Sequence, residues 1–268
     1  MRLRVPVIWL SALGLLAVLI AAAWHARLRL GEPVLLTGWS LLATMTVLAV
    51  FNSRKRLSMV PLGSAAIWLR VHLAGGLLAV AIFWLHTGRL WPTGLYERIL
   101  AALFYLVSLS GLIGVGLQRL YPPRLTQSGV ELIYERIPGE VAEIRQRAEA
   151  LVLRCTEETG SDTLAQHYLQ TLDWFFRRPR FFASHALGGQ QAAHWVRYQC
   201  DTVRRYLNDA ERGYLDQVSA LAELKNTVDL HYAAQGVMKG WLLGHVPLAA
   251  AVMAMVVWHV ILVHLYRV

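Results

Sequence analysis

Five runs of the chain are apolar almost without interruption. Each is long enough to cross the roughly 30 Å hydrocarbon core of a bilayer, which takes about 20 helical residues. They lie near residues 6–24, 34–51, 65–87, 99–117 and 240–266. Between the fourth and fifth runs the pattern changes. The segment 119–239 is polar, with apolar positions recurring at helical spacing over 141–152, 163–176, 193–207 and 214–230. Tyr121-Pro122-Pro123-Arg124 reads as the breaker that opens it, Pro138-Gly139 as a turn and Ser161-Asp162 as a helix start. The pattern predicts an all-α protein. A five-span transmembrane bundle is expected over 1–118 and 240–268, with a soluble helical domain, 119–239, inserted between spans four and five.

The first run follows Arg2 and Arg4, as a signal peptide would. Its apolar part is longer than a usual signal core, and Trp24-His25-Ala26-Arg27 is a poor cleavage site, so a retained anchor is expected. Composition agrees with several spans: of 268 residues, 56% are hydrophobic and only 16% charged. The net charge of +9 changes the picture only once it is located. From Arg119 to Lys239 the chain carries 15 basic and 15 acidic residues, so the whole excess lies beside the spans. A nucleic-acid partner would want it on the polar segment, whereas flanking Lys and Arg set membrane orientation. Arg2, Arg4, Arg54, Lys55, Arg56 and Arg70 fall on one face, and Arg27, Arg29, Arg89, Arg98 and Arg267 on the other. The cluster at 54–56 and the basic N-terminus favour an inside N-terminus and a cytoplasmic polar domain, in a bacterial inner membrane. Cys155 and Cys200 read as ordinary thiols. With no Cys-x-x-Cys-His, a covalently attached haem is excluded.

Ten histidines are present, and five fall within spans three and five. Span three holds His72 and His86, and span five holds His245, His259 and His264. The intervals from 72 to 86 and from 245 to 259 are both fourteen residues. Fourteen residues at about 100° each close to within roughly 40° of whole turns and advance about 21 Å. Each pair therefore lies on one face of its helix, with one member near each edge of the apolar layer. Because one span intervenes, spans three and five run parallel, so His72 is level with His245 and His86 with His259. Two parallel helices presenting facing imidazoles can hold a flat macrocycle between them, and a haem iron takes axial ligands on both faces. Two b-type haems are expected, ligated by His72/His245 and His86/His259. Ionisable groups inside a membrane are costly and usually functional, although polar groups bonded within a bundle are the bland alternative. Gly75 and Gly76 would let a porphyrin approach the backbone or serve helix packing. The same packing role is read for Gly111, Gly114 and Gly116. Arg70 and Arg89 are placed to meet haem propionates or to set topology. His25, His167, His185, His194 and His231 read as surface or packing residues.

At these residues the chain resembles the cytochrome b family, particularly the cytochrome b subunit of quinol:cytochrome c oxidoreductases. Arg70-x-His72-x-x-Gly75 with His86-x-Gly88-Arg89 is similar to that family's second-helix pattern. His245-x13-His259-x4-His264 is similar to its fourth-helix pattern. The resemblance covers about 50 residues and implies the same haem pairs. It also implies a quinone contact at His264, about 140° round the helix from His259, where an interfacial histidine is the alternative. Three departures stand beside it. Two helices precede the first ligand helix instead of one, no Pro-Glu-Trp-Tyr occurs between spans four and five, and a helical domain stands in that loop, so bifurcating chemistry is not carried over. The layout is also similar to ferric reductase transmembrane domains, but no Gly-x-Gly-x-x-Gly lies outside the spans to take hydride from a nicotinamide.

The function expected is an electron-conducting subunit exchanging electrons with quinone and a partner redox protein of iron–sulfur, flavin or multihaem cytochrome c type. A ferric or oxygen reductase core fed by a separate flavoprotein is the nearest alternative. A metal transporter using its intramembrane histidines is a second, though the spans as drawn contain no interior Asp or Glu. A non-redox assembly factor is a third. Phe175-Phe176-Arg177-Arg178-Pro179-Arg180-Phe181-Phe182 interleaves aromatic and basic residues. It is read either as a segment docking a membrane surface or subunit, or as a buried turn with solvated arginines.

Overall fold

The computed structural model describes residues 4–50 and 64–266, and the chain is all-helical over them. The basic residues Arg2, Arg54, Lys55, Arg56 and Arg267, and the end of the second run at Phe51, lie outside the described residues. Five helices are long and apolar enough to cross a membrane: α1 (Arg4–Leu28), α2 (Pro33–Val50), α3 (Ala65–Thr87), α4 (Leu95–Gln127) and α10 (Asp209–Leu265). The chain divides into two compact units, one from Met1–Val115 with Leu242–Val268, the other from Gly116–Trp241.

In the first unit α1, α2 and α3 pack along one another. The shared core joins Leu41 and Met45 of α2, Ile82 and Phe83 of α3, Phe104 of α4 and Val252 of α10. The proline of α2 stands at its first position, where the missing N–H costs nothing. Its hydroxyls are satisfied within the helix: Thr37 donates to the Pro33 carbonyl at 3.0 Å, Ser40 to Leu36 at 2.7 Å and Thr44 to Ser40 at 2.8 Å. That internal pairing lets polar residues sit in an apolar span. α3 ends at Gly88, whose φ of 63° closes the helix in the left-handed region that favours glycine.

The second unit contains α5 (Ile137–Thr159), α6 (Thr163–His167) running through a π turn (Tyr168–Leu172) into α7 (Asp173–Phe176), then α8 (Phe182–Leu187) and α9 (Gln191–Arg204), with the first part of α10. These match the four polar-segment helices expected. The π turn carries the helix across a change of face. Tyr168, Leu172, Phe175 and Phe176 all enter the core, and the buried Asp173 meets Arg145 at 3.3 Å and Arg177 at 2.5 Å. Under the loop from Arg177 to Phe181, Lys225 is wholly buried. It pairs with Asp229 at 2.6 Å, donates to the Arg178 carbonyl at 2.9 Å and lies 4.0 Å from the Phe175 ring centre. Asp229 also accepts from the Arg180 N–H at 3.1 Å. That grip holds Phe181 at a φ of 54°, a left-handed conformation that costs a non-glycine residue about 1 kcal/mol or more. Phe175 and Phe176 are fully buried while Arg177 and Arg178 are exposed. The first aromatic pair of the run is thus core, as the buried-turn reading expects, while Phe182 at its end is 45% exposed.

Two expected boundaries also differ. Pro122 and Pro123 do not break the chain, because α4 continues to Gln127. A proline's φ is helical, and its loss is confined to its own donor and the carbonyl a turn back. Here the buried Tyr121 hydroxyl donates to the Ala186 carbonyl at 3.1 Å and anchors the last turns. The separate helices expected at 214–230 and 240–266 are one helix, uninterrupted at Gly236 and Gly240.

Candidate functional site

The first unit gathers the four histidines. His72 and His86 lie on α3, His245 and His259 on the apolar end of α10, and all four are half-buried. His72 lies within electrostatic range of His245, and His86 within range of His259. The histidines therefore pair in that order, His72 with His245 and His86 with His259, and α3 runs in the same direction as the end of α10.

The helices on either side support these rings. His86 Nδ1 is 3.1 Å from the Val34 carbonyl and 3.2 Å from Thr37 Oγ1, and His72 lies against the Leu48 backbone. Val34 and Leu48 both belong to α2, and 34 and 48 are again fourteen residues apart. A carbonyl only accepts, so His86 Nδ1 carries the ring proton and Nε2 keeps its lone pair. On the other side, His245 Nδ1 lies 3.1 Å from Ser110 Oγ, and His259 stacks on Tyr96 with centres 6.0 Å apart and planes 12° apart. Tyr96 and Ser110 belong to α4 and are fourteen residues apart as well. Tyr96 is itself tied to α10, its hydroxyl donating to the Met255 carbonyl at 2.8 Å.

The glycines separate by role. A Cβ at Gly38 would stand 3.0 Å from His86 Cε1 and 3.4 Å from Nδ1, so only glycine lets α2 approach the ring unstrained. A Cβ at Gly75 would meet Leu48 Cδ2 at 2.9 Å, which places that glycine at the contact with α2. Gly76 faces open space, with nothing within 4 Å of such a Cβ. Gly111 lies beside His245, its virtual Cβ 3.9 Å from Cε1. Arg70 is half-buried, and Arg89 is exposed just past the end of α3.

At the level of His86 and His259 the bundle encloses an apolar cavity of about 380 Å³. Both histidines line it, with Gly38, Phe104, Glu97 and His264. His264 is exposed, its Nδ1 donates to the Val260 carbonyl at 2.8 Å, and its ring meets Trp39 edge-on at 5.7 Å. Glu97 falls outside the fourth run as drawn from hydropathy, yet it stands in the first turn of α4, within electrostatic range of His259. Sequence reasoning missed Gly38, Tyr96, Glu97 and Ser110. The one available signal was the interval, which recurs at 96 and 110 and would have marked α4. Among the described residues no group of three or more His, Cys, Asp or Glu converges as a metal-ion site. No protein-family model matches the chain, and neither curated proteins nor solved structures gave a match.

Proposed function

We propose that the chain is the dihaem cytochrome b subunit of a membrane redox complex, with His72 and His245 ligating one b-type haem and His86 and His259 the other. The observation that supports the proposal is the proximity of four histidines in two pairs, His72 to His245 and His86 to His259, on two co-directional apolar helices. The donor set fits haem. Each pair offers one imidazole from either side, which is what a porphyrin iron takes. His86 presents a bare Nε2 because Nδ1 is spent on a carbonyl, the usual arrangement of a metal-ligating histidine. The apolar cavity between His86 and His259 suits a hydrophobic macrocycle, and Gly76 leaves the α3 backbone uncovered. A zinc or copper carrier is a poorer fit, since such ions want about four donors and the rings here stand in twos.

Bound haems would supply one-electron carriers at two depths. The chain's own residues hold the rings in orientation, exclude water from them with the apolar faces of α2, α3, α4 and α10, and place Arg70 and Arg89 near the edges for propionates. In this reading the unit from Gly116 to Trp241 is a soluble helical domain inserted between the fourth and fifth spans, facing the cytoplasm of a bacterial inner membrane and docking a further redox subunit. His264, beside the cavity mouth and Trp39, would contact a quinone.

The test is a reduced-minus-oxidised spectrum with a pyridine haemochrome count on the purified chain. Two b-haems per chain are expected, falling to one or none in His72→Ala and His259→Ala. A haem-free chain purified from haem-replete cells overturns the proposal. Quinol-driven reduction that His264→Leu leaves unchanged removes the quinone role of that residue alone.

A further inference from the structure

We infer that α2 and α4 form a positioning layer for the four histidines, with Gly38 and Ser110 as its position-specific members. The inference rests on the dihaem reading and deepens it. Each ligand helix has one supporting helix. α2 supports α3 through its backbone at Val34 and Leu48, and α4 supports the end of α10 through the side chains of Tyr96 and Ser110. All four helices repeat the fourteen-residue interval, as they must if each level is braced from both sides.

The two sides are braced by different chemistry. On α2 the brace is peptide backbone, which no substitution deletes, so the vulnerable feature is the distance of approach. Gly38 sets it: the ring of His86 lies against the α2 backbone where a methyl group would sit 3.0 Å from Cε1. A larger side chain must tilt the ring or push α2 away, and either lengthens the 3.1 Å bond to the Val34 carbonyl. That bond fixes which nitrogen carries the proton and leaves Nε2 for the iron. On α4 the brace at the other level includes the Ser110 hydroxyl, 3.1 Å from His245 Nδ1. Its removal leaves the ring less constrained. A ring-orienting partner also tunes ligand basicity and with it the potential of the metal.

The consequence is level specificity. Gly38→Leu acts on the haem of His86 and His259, and Ser110→Ala on the haem of His72 and His245. Potentiometric titration and low-temperature electron paramagnetic resonance of the purified full chain resolve two b-haems by potential and by signal. Gly38→Leu is expected to lose one haem per chain or convert its signal to high spin, with the second signal in place. Gly38→Ala should give a smaller shift of the same signal. Ser110→Ala should keep both haems and move the midpoint potential of the other one. Gly14→Ala, at a position where an added Cβ meets nothing within 4 Å, is the control for helix substitution in general. If Ser110→Ala and Gly38→Ala leave both signals and both potentials where they are in a two-haem chain, the positioning layer is refuted and the dihaem assignment stands. If both haems shift together in either variant, the effect is general destabilisation, and level specificity is wrong. A wild-type chain without haem refutes the underlying assignment instead.

Discussion

His185 shows how a single buried imidazole couples one unit to pH. It is 4% exposed, and burial, with the nearby Lys225 cation as the second cause, pushes its pKa down from 6.5 to about 4. Between those values the unfolded chain takes up a proton that the folded chain refuses, so stability is full above about pH 6.5, falls as pH drops and levels off near 4. The span corresponds to about 3 kcal/mol at this one residue. Fluorescence-monitored urea unfolding of the full chain at pH 7, 5 and 4 should show a steeper loss in the wild type than in His185→Leu. Equal slopes would mean that other titrating groups account for the whole effect. The placement of single residues was legible in the sequence where it was periodic. His72, His86, His245 and His259 stand out because apolar surroundings make any imidazole conspicuous and the equal intervals pair them. Gly38 carries no such mark. Its role depends on how closely α2 approaches α3, which no one-dimensional pattern records, and the backbone groups of Val34 and Leu48 are chemically identical to those of other residues. His185 read as a packing residue, and its burial beside Lys225 arises from contacts forty residues apart in the chain.

Elements were more legible than their ends. Hydropathy located all five apolar helices, and helical periodicity located the four longest pieces of the second unit, because both signals average over many residues. Ends depend on a few local bonds. α10 begins with a reciprocal cap, the Asn208 N–H donating to Glu211 Oε2 at 2.9 Å and the Glu211 N–H to Asn208 Oδ1 at 2.9 Å. Two of the four orphan donors of the first turn are thereby satisfied. Asn208→Ala should therefore cost about 1 kcal/mol, read as a lower unfolding midpoint for the second unit, while Asn208→Asp should retain most of it. An unchanged midpoint in Asn208→Ala would show that the rest of the first turn holds this helix end without the cap. The same locality explains the misplaced stop at Pro122-Pro123. Two prolines remove two donors near the end of a helix that is held by Tyr121, and a pattern rule weighs the prolines without seeing the tyrosine. It also explains why the fourth run looked shorter than α4. Tyr96 and Glu97 are polar enough to fall outside an apolar window, yet the helix already contains them.

At the scale of the whole molecule, the proposal fixes how many times the chain crosses and leaves the direction to its charges. With five crossings, the N-terminus, residues 51–63 and the second unit would share a side. Basic residues divide six to five between the two sides, so the sum decides little; the weight falls on the compact Arg54-Lys55-Arg56 group in a short loop, where the positive-inside rule acts most strongly. On the proposed reading the second unit is cytoplasmic, and an electron entering or leaving through it would do so on that side. Surface labelling checks this cleanly because the native thiols are silent: Cys155 and Cys200 are both buried, and burial pushes both pKa values up, away from the reactive thiolate. Leu187, 85% exposed at the end of α8, is a position where a cysteine would be open to reagent. Leu187→Cys should react with a membrane-impermeant maleimide in inverted inner-membrane vesicles and stay unlabelled in intact spheroplasts. The opposite result would turn the molecule over. It would put the proposed partner subunit on the periplasmic side and assign the His72/His245 level, nearer the start of α3, to that side too. The two haem levels would keep their ligands, and the route between them would run the other way across the membrane.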